Sequence, residues 1–148
     1  GEKEEESSLE KLRFGLGGEL LPEGEWRDVQ EGLHHHGDNP DQPGYTILEL
    51  LRLSRSAFQA QRILATSLLG QVLSRVAEKG AEAQLLLDFM LQQDVTIVLR
   101  CALDEPKNVT LAAAAATSLV ALLNASAAIS LRRGMPPEGE PSRAKGRC

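Results

Sequence analysis

Aromatic side chains are nearly missing from this chain: three phenylalanines, one tryptophan and one tyrosine among 148 residues. With hydrophobic residues at 42% of the sequence, any core must be assembled from Leu, Ala, Val and Ile. Leucine and alanine lose little freedom in a helix, whereas strands draw on β-branched and aromatic residues, so the shortage argues against a sheet protein. Cysteine is also scarce. Cys101 sits inside an apolar run and Cys148 is the last residue, which is neither a metal spacing nor a disulfide framework, and a reducing compartment is the simpler expectation. Excess positive charge is lacking too. A formal net charge of -5 gives no overall field to gather phosphate backbones, so direct nucleic-acid binding is not expected. The chain opens on Glu2 and the run Glu4, Glu5, Glu6 rather than on a basic leader with an apolar segment, so secretion is not expected. Gly1 in place of methionine suggests a piece of a longer parent.

One apolar run approaches the length of a bilayer crossing, Leu111 to Leu131. It is mostly alanine and is interrupted by Thr117, Ser118, Asn124, Ser126 and Ser130. A helix buried in a bundle or solenoid is the better expectation, with no membrane involved.

Four stretches differ in character. Residues 1–11 read as an acidic, flexible leader. Residues 12–45 hold most of the glycines and prolines, Trp26, all three histidines and the only tyrosine, and read as a long loop. Within that loop, Leu12 to Phe14 and Glu19 to Leu21 flank glycines 15, 17 and 18, a pattern compatible with a short hairpin. Residues 46–131 read as a helical domain, and 132–148 as a disordered basic tail.

Inside the helical block, Thr46 is placed to cap a short helix through Arg52 or Ser54. Ser56 and Gln59 stand in capping-box register for the next. Along that helix Leu64, Leu68, Val72 and Val76, with Ala65, Leu69 and Leu73 beside them, form one apolar stripe, while Thr66 falls on another face. Gly80 after Lys79 reads as a left-handed stop. Asp94 and Asn108 are candidate caps for a segment through Leu103 and for the alanine-rich helix after Pro106. Burial of the stripe contributes about 1.5 to 3 kcal/mol per large residue. Ordering the backbone costs about 1 to 2 kcal/mol per residue, so the stripe needs an apolar neighbour. The expected class is therefore all-α: armadillo- or HEAT-like helical pairs, or a small bundle, although no repeat is visible.

The most distinctive run is Gly32-Leu33-His34-His35-His36-Gly37-Asp38-Asn39-Pro40. On an extended chain only His34 and His36 face the same way, and Asp38 could add a third ligand, so a metal-binding module or metal-dependent hydrolase is one reading. That site is incomplete, because no second ligand cluster and no nucleophile with an evident base accompany it. A structural or docking loop whose imidazoles hydrogen-bond to backbone is the preferred one, with no cofactor.

Arg13-Phe14, Gly18 and the run GLHHHGDNPDQPGYTILELLRLSRSAFQAQRILATSLLGQVLSR together resemble the conserved C-terminal segment of the RNA polymerase II-associated protein 1 family. The resemblance covers residues 13 to about 76 and rests on GLHHHG, its offset to GYT and EL, and the LSRS and QR that follow. Gly15 stands where the family tends to carry an acidic residue. The resemblance implies a non-enzymatic adaptor that links RNA polymerase II subunits to assembly chaperone and scaffold proteins, acting in nucleus and cytoplasm. Carried over residue by residue are Arg13, Phe14, Gly18, Gly32, Leu33, Gly37, Pro40, Gly44, Tyr45, Leu50, Ser56 and Gln61 as the structural motif. The same matching gives His34, His35, His36, Arg55 and Arg62 as candidate partner contacts. The two arginines offer planar donors suited to carboxylates. A rival reading, nucleic-acid binding through Arg132, Arg133, Arg143, Lys145 and Arg147, is weakened by Glu138, Glu140 and the lack of aromatics nearby. The sequons at Asn108 and Asn124 are chance matches for an intracellular chain.

Overall fold

In the computed structural model, residues 1–22 and 42–134 are described. Their regular structure is helical: α1 (Glu2–Lys11), α2 (Ile47–Leu53), α3 (Gln59–Val76), α4 (Ala83–Gln92), α5 (Val95–Leu103) and α6 (Val109–Arg133), with a tight 3-10 stretch over Ala77–Glu82. The all-α expectation is correct. Among the described residues, extended pairing is confined to isolated antiparallel bridges of Phe14 with Leu20 and with Tyr45.

Local chemistry explains most boundaries. Thr46 caps α2: its side chain accepts from the Glu49 amide at 3.2 Å, and the Glu49 carboxylate accepts from the Thr46 amide at 3.2 Å. This reciprocal pair satisfies two otherwise orphaned donors. Asn108 caps α6, accepting from the Leu111 amide at 3.0 Å. Gly80, with φ of 65°, turns the chain between α3 and α4, a conformation glycine adopts without steric cost.

Three local expectations need correction. Ser56 does not cap α3, whose first helical residue is Gln59 behind Phe58; the Ser56 hydroxyl instead accepts from the Phe58 amide at 3.1 Å and donates to Gln61 Oε1. Asp94 precedes α5 in a left-handed backbone conformation, φ 64°, without a side-chain cap. The stripe on α3 holds at Ala65, Leu68, Leu69, Val72, Leu73 and Val76, but Leu64 is exposed and Thr66 fully buried, because the face that α6 covers runs through small residues.

The ends differ from expectation as well. Residues 2–11, anticipated as a flexible leader, form α1, with Glu2, Glu4 and Glu5 in its first turn and Lys11 in its last. Those charges complement the helix dipole, and half-buried Leu9 packs against the core. Arg132 and Arg133, anticipated in the tail, are the last turn of α6.

The main core gathers Phe14, Tyr45, Ile47 and Leu50 with α3 residues Leu68, Leu69, Val72, Leu73 and Val76, and with apolar faces of α4, α5 and α6. A smaller cluster joins Ala102, Leu111 and Ala115, with Ile63 packed on it. α6 lies chiefly against α3 and α5, which supplies the apolar neighbour that the α3 stripe requires. Ile63 packs on the cluster that holds Leu111 and Ala115, while Thr66 and Gly70 meet Ser118, so α3 and α6 advance in the same sense. α6 has the length and composition to cross a membrane, with one face packed in this way and Val109, Val120, Leu123 and Leu131 exposed.

The packing of α3 on α6 is set by Gly70. A Cβ there would stand 2.3 Å from Ser118 Oγ and 3.2 Å from Ser118 Cα. The Ser118 hydroxyl is itself buried, 2.9 Å from the Thr66 carbonyl and 2.8 Å from that of Ala114, which share its one hydrogen. Gly70→Ala should therefore lower stability by about 1 to 3 kcal/mol through overpacking. Pairing it with Ser118→Ala should recover only part of that loss, as the added methyl still presses on the α6 backbone. Urea melts of the two single variants and the double variant measure the coupling.

Candidate partner-binding site

Two constructions carry the motif residues. The first is a buckle around Arg13. Its Nε donates to the Pro43 carbonyl at 2.8 Å and its Nη2 to the Gly44 carbonyl at 2.9 Å. Nη1 and Nη2 also face Glu49 Oε1 and Oε2 at 3.4 and 3.3 Å. Arg13 thus ties the turn at residues 43–44 to the cap of α2. Beside it, Phe14 and Tyr45 exchange backbone hydrogen bonds at 2.8 and 3.0 Å, and Leu21 donates to the Arg13 carbonyl at 2.8 Å. The Gly15 amide donates to the Glu19 carbonyl at 2.9 Å. Phe14, Tyr45 and Leu50 are buried in the main core.

Glycine is required where this buckle meets its surroundings. Gly18 has φ of 79°, and a Cβ there would lie 2.4 Å from the Gln71 carbonyl carbon, so the loop backbone rests directly on α3. Arg75 Nε donates to the Gly17 carbonyl at 2.8 Å and holds it there. At Gly44 a Cβ would stand 2.6 Å from the Phe14 carbonyl oxygen and 2.5 Å from a Leu21 methyl. Leu21 and Gly44 are consequently in contact, and the residues at either end of 23–41 are held side by side.

The second construction is a cavity of about 270 Å³ between the α2–α3 turn, α5 and the start of α6, whose lining includes Arg55, Arg62, Ile97, Cys101, Glu105 and Leu111. The turn is shaped by serines. Ser54 Oγ donates to the Leu51 carbonyl at 2.6 Å, and Ser56 links Phe58 to Gln61 as above, so Arg55 is carried between two fixed points. Arg55 is exposed and Arg62 half-buried. Arg62 Nε is buried and lacks a hydrogen-bond partner, a condition that costs about 1 to 3 kcal/mol for a buried donor. No ion pair of Arg55 or Arg62 occurs among the described residues.

The structure therefore brings two groups of anticipated residues together: Arg13, Phe14, Gly18, Gly44 and Tyr45 in the buckle, and Arg55, Ser56, Gln61 and Arg62 at the turn and cavity. Gly32, Leu33, His34, His35, His36, Gly37, Asp38 and Pro40 lie outside the described residues, as do Arg143, Lys145 and Arg147. Among the described residues no group of three or more potential metal ligands occurs. Sequence reading missed Glu49 and the far wall of the cavity. The Thr46-x-x-Glu49 capping box was a legible signal for the former; Ile97, Glu105 and Leu111 carry none, since only the packing of α5 and α6 brings them to Arg62.

Residues 11–77 match the family described as RPAP1-like, C-terminal. The match covers 67 of the 148 residues. Relatives agree. The chain is 41% identical over 74 residues to RNA polymerase II-associated protein RBA50 of Saccharomyces cerevisiae, covering 49% of this chain and 17% of that protein. It is 43% identical over 68 residues to RNA polymerase II-associated protein rba50 of Schizosaccharomyces pombe, covering 45% and 15% respectively. To human RNA polymerase II-associated protein 1 it is 38% identical over 99 residues, 64% of this chain and 7% of that one. The chain thus spans under a fifth of the length of these curated relatives. No solved structure matches it. The RPAP1-like match ends with α3, so it contains the whole buckle and both cavity arginines, whereas the α5 and α6 walls fall beyond it. Human similarity runs over 99 residues and therefore extends past the 67 of the family match.

The Arg13–Glu49 pair is nearly buried, with side chains 13% and 9% exposed. Arg13→Ala should cost about 3 kcal/mol in a denaturant melt, because it strands the Glu49 carboxylate and two carbonyls; Arg13→Lys should restore only part, lacking the planar fork.

Burial, reinforced by the Glu49 charge, raises the Tyr45 phenol above its ordinary 10.0. The protonated form is favoured in the fold, so the contribution is complete below the unfolded value and is lost as pH rises through the folded one. As the only tyrosine, Tyr45 can be titrated by its phenolate absorbance. The native midpoint should exceed that of urea-denatured chain, and Tyr45→Phe should flatten the loss of stability at alkaline pH.

Proposed function

We propose that this chain is a non-enzymatic interaction module that associates with RNA polymerase II and links its subunits to the chaperone and scaffold proteins that assemble it, in cytoplasm and nucleus. The observation that carries the reading is the RPAP1-like segment over residues 11–77, whose relatives are named as RNA polymerase II-associated. The construction of that segment supports it. Its motif residues form a support: Arg13, Phe14, Gly18, Gly44 and Tyr45 fasten residues 13–21 and 43–45 to one another and to α2 and α3. In this reading His34, His35 and His36 meet a partner from that support, and Arg55 and Arg62 add contacts from the adjoining cavity.

Affinity capture from nuclear and cytoplasmic extracts, scored by mass spectrometry, tests the association. Wild-type chain should enrich polymerase II subunits with assembly chaperones. Simultaneous replacement of His34, His35 and His36 by alanine should reduce that enrichment several-fold while leaving the melting temperature close to wild type. A lowered melt with undiminished capture would assign the histidines to internal packing, and capture of no polymerase subunit by wild type would reject the association itself.

A further inference from the structure

The cavity between the α2–α3 turn, α5 and the start of α6 has a lining that selects its occupant. We propose that it takes one acidic side chain of an extended peptide from a protein partner. Arg55 and Arg62 pair the carboxylate, while Ile97 and Leu111 hold an aliphatic neighbour.

Three observations carry this. Arg55 and Arg62 both line the cavity, neither is in an ion pair among the described residues, and Arg62 Nε is buried without a hydrogen-bond partner; a carboxylate is the acceptor that matches the in-plane donor edges of guanidinium groups. Charge sets the second limit. The lining contains two arginines and one carboxylate, Glu105, a net of about one positive charge, which balances a single carboxylate better than a phosphate dianion. The volume of about 270 Å³ falls below the roughly 300 to 1,000 Å³ usual for drug-sized ligands, which suits one or two side chains. Ile97 is 57% exposed at the mouth, an apolar contact at the rim of a charged pocket. The assignment deepens the interaction-module reading by naming the chemistry of the partner segment.

The test screens the whole chain against a random library of amidated, fluorescein-labelled octapeptides, with phosphoserine allowed at each position. Selected peptides should share one Asp or Glu next to Leu, Ile or Val. Arg62→Gln should weaken their binding about tenfold, and Arg55→Gln by a smaller factor. Arg62→Lys should recover only part, and circular dichroism melts no lower than wild type should accompany all three variants, since replacing Arg62 removes a buried unpaired donor. Selection of no peptide, of peptides without a carboxylate, of phosphoserine peptides in preference, or binding indifferent to Arg62→Gln would each overturn the proposal. Polymerase capture run in parallel separates the two readings. Equal capture by wild type and Arg62→Gln, with no acidic peptide selected, removes the cavity assignment alone. Acidic peptide binding without polymerase capture removes the association alone.

Discussion

Arg13 binds three stretches of chain with one guanidinium. Its donors reach the carbonyls of Pro43 and Gly44 and the carboxylate of Glu49, and Glu49 in turn closes the cap of α2. Nothing smaller than an arginine fork could satisfy all of these acceptors from one position. Around it the backbone has no freedom left: Phe14 and Tyr45 pair in both directions, and the loop lies against α3 at Gly18 with no room for a side chain. The charged pair supports the apolar burial of Phe14 and Tyr45, since it fixes the segments that carry the rings into the core.

That dependence explains why so many motif residues turn out to be internal. Leu50 is in the core, Ser56 and Gln61 fix a turn, and the glycines are there for lack of a Cβ. Within the stretch that matches the RPAP1-like family, the described motif residues first hold residues 13–21 and 43–45 against α2 and α3.

The helical class, the Thr46 and Asn108 caps and the positive φ at Gly80 were legible because each rests on local chemistry within a few residues. Ser56 and Asp94 misled for a related reason. Both have cap-forming side chains, but α3 begins later than expected, behind Phe58, while Asp94 does precede α5 in a left-handed conformation whose side chain makes no cap. Most of the stripe on α3 was legible, but its edge had no local signal, since the choice between Leu64 and Thr66 was made by α6, more than forty residues away. The acidic leader is helical, with charges that match the helix dipole at its ends and Leu9 packed against the core. The two arginines were legible as donors, but the cavity they share was not.

The cavity follows from the face that α3 turns to α6. Positions 70, 66 and 62 lie four residues apart and so share one side of the helix. Along them the side chain grows from none at Gly70, to Thr66, to Arg62. Where Gly70 meets Ser118 the helices approach until backbone and hydroxyl touch. At Arg62 a long side chain lines the cavity together with Leu111 of the first turn of α6. The wedge opens there, bounded by α5 and by the turn that Ser56 holds. The tight end and the open end are thus one feature: the close packing at Gly70 fixes the position of α6, and that position leaves Arg62 beside a space the chain itself does not fill.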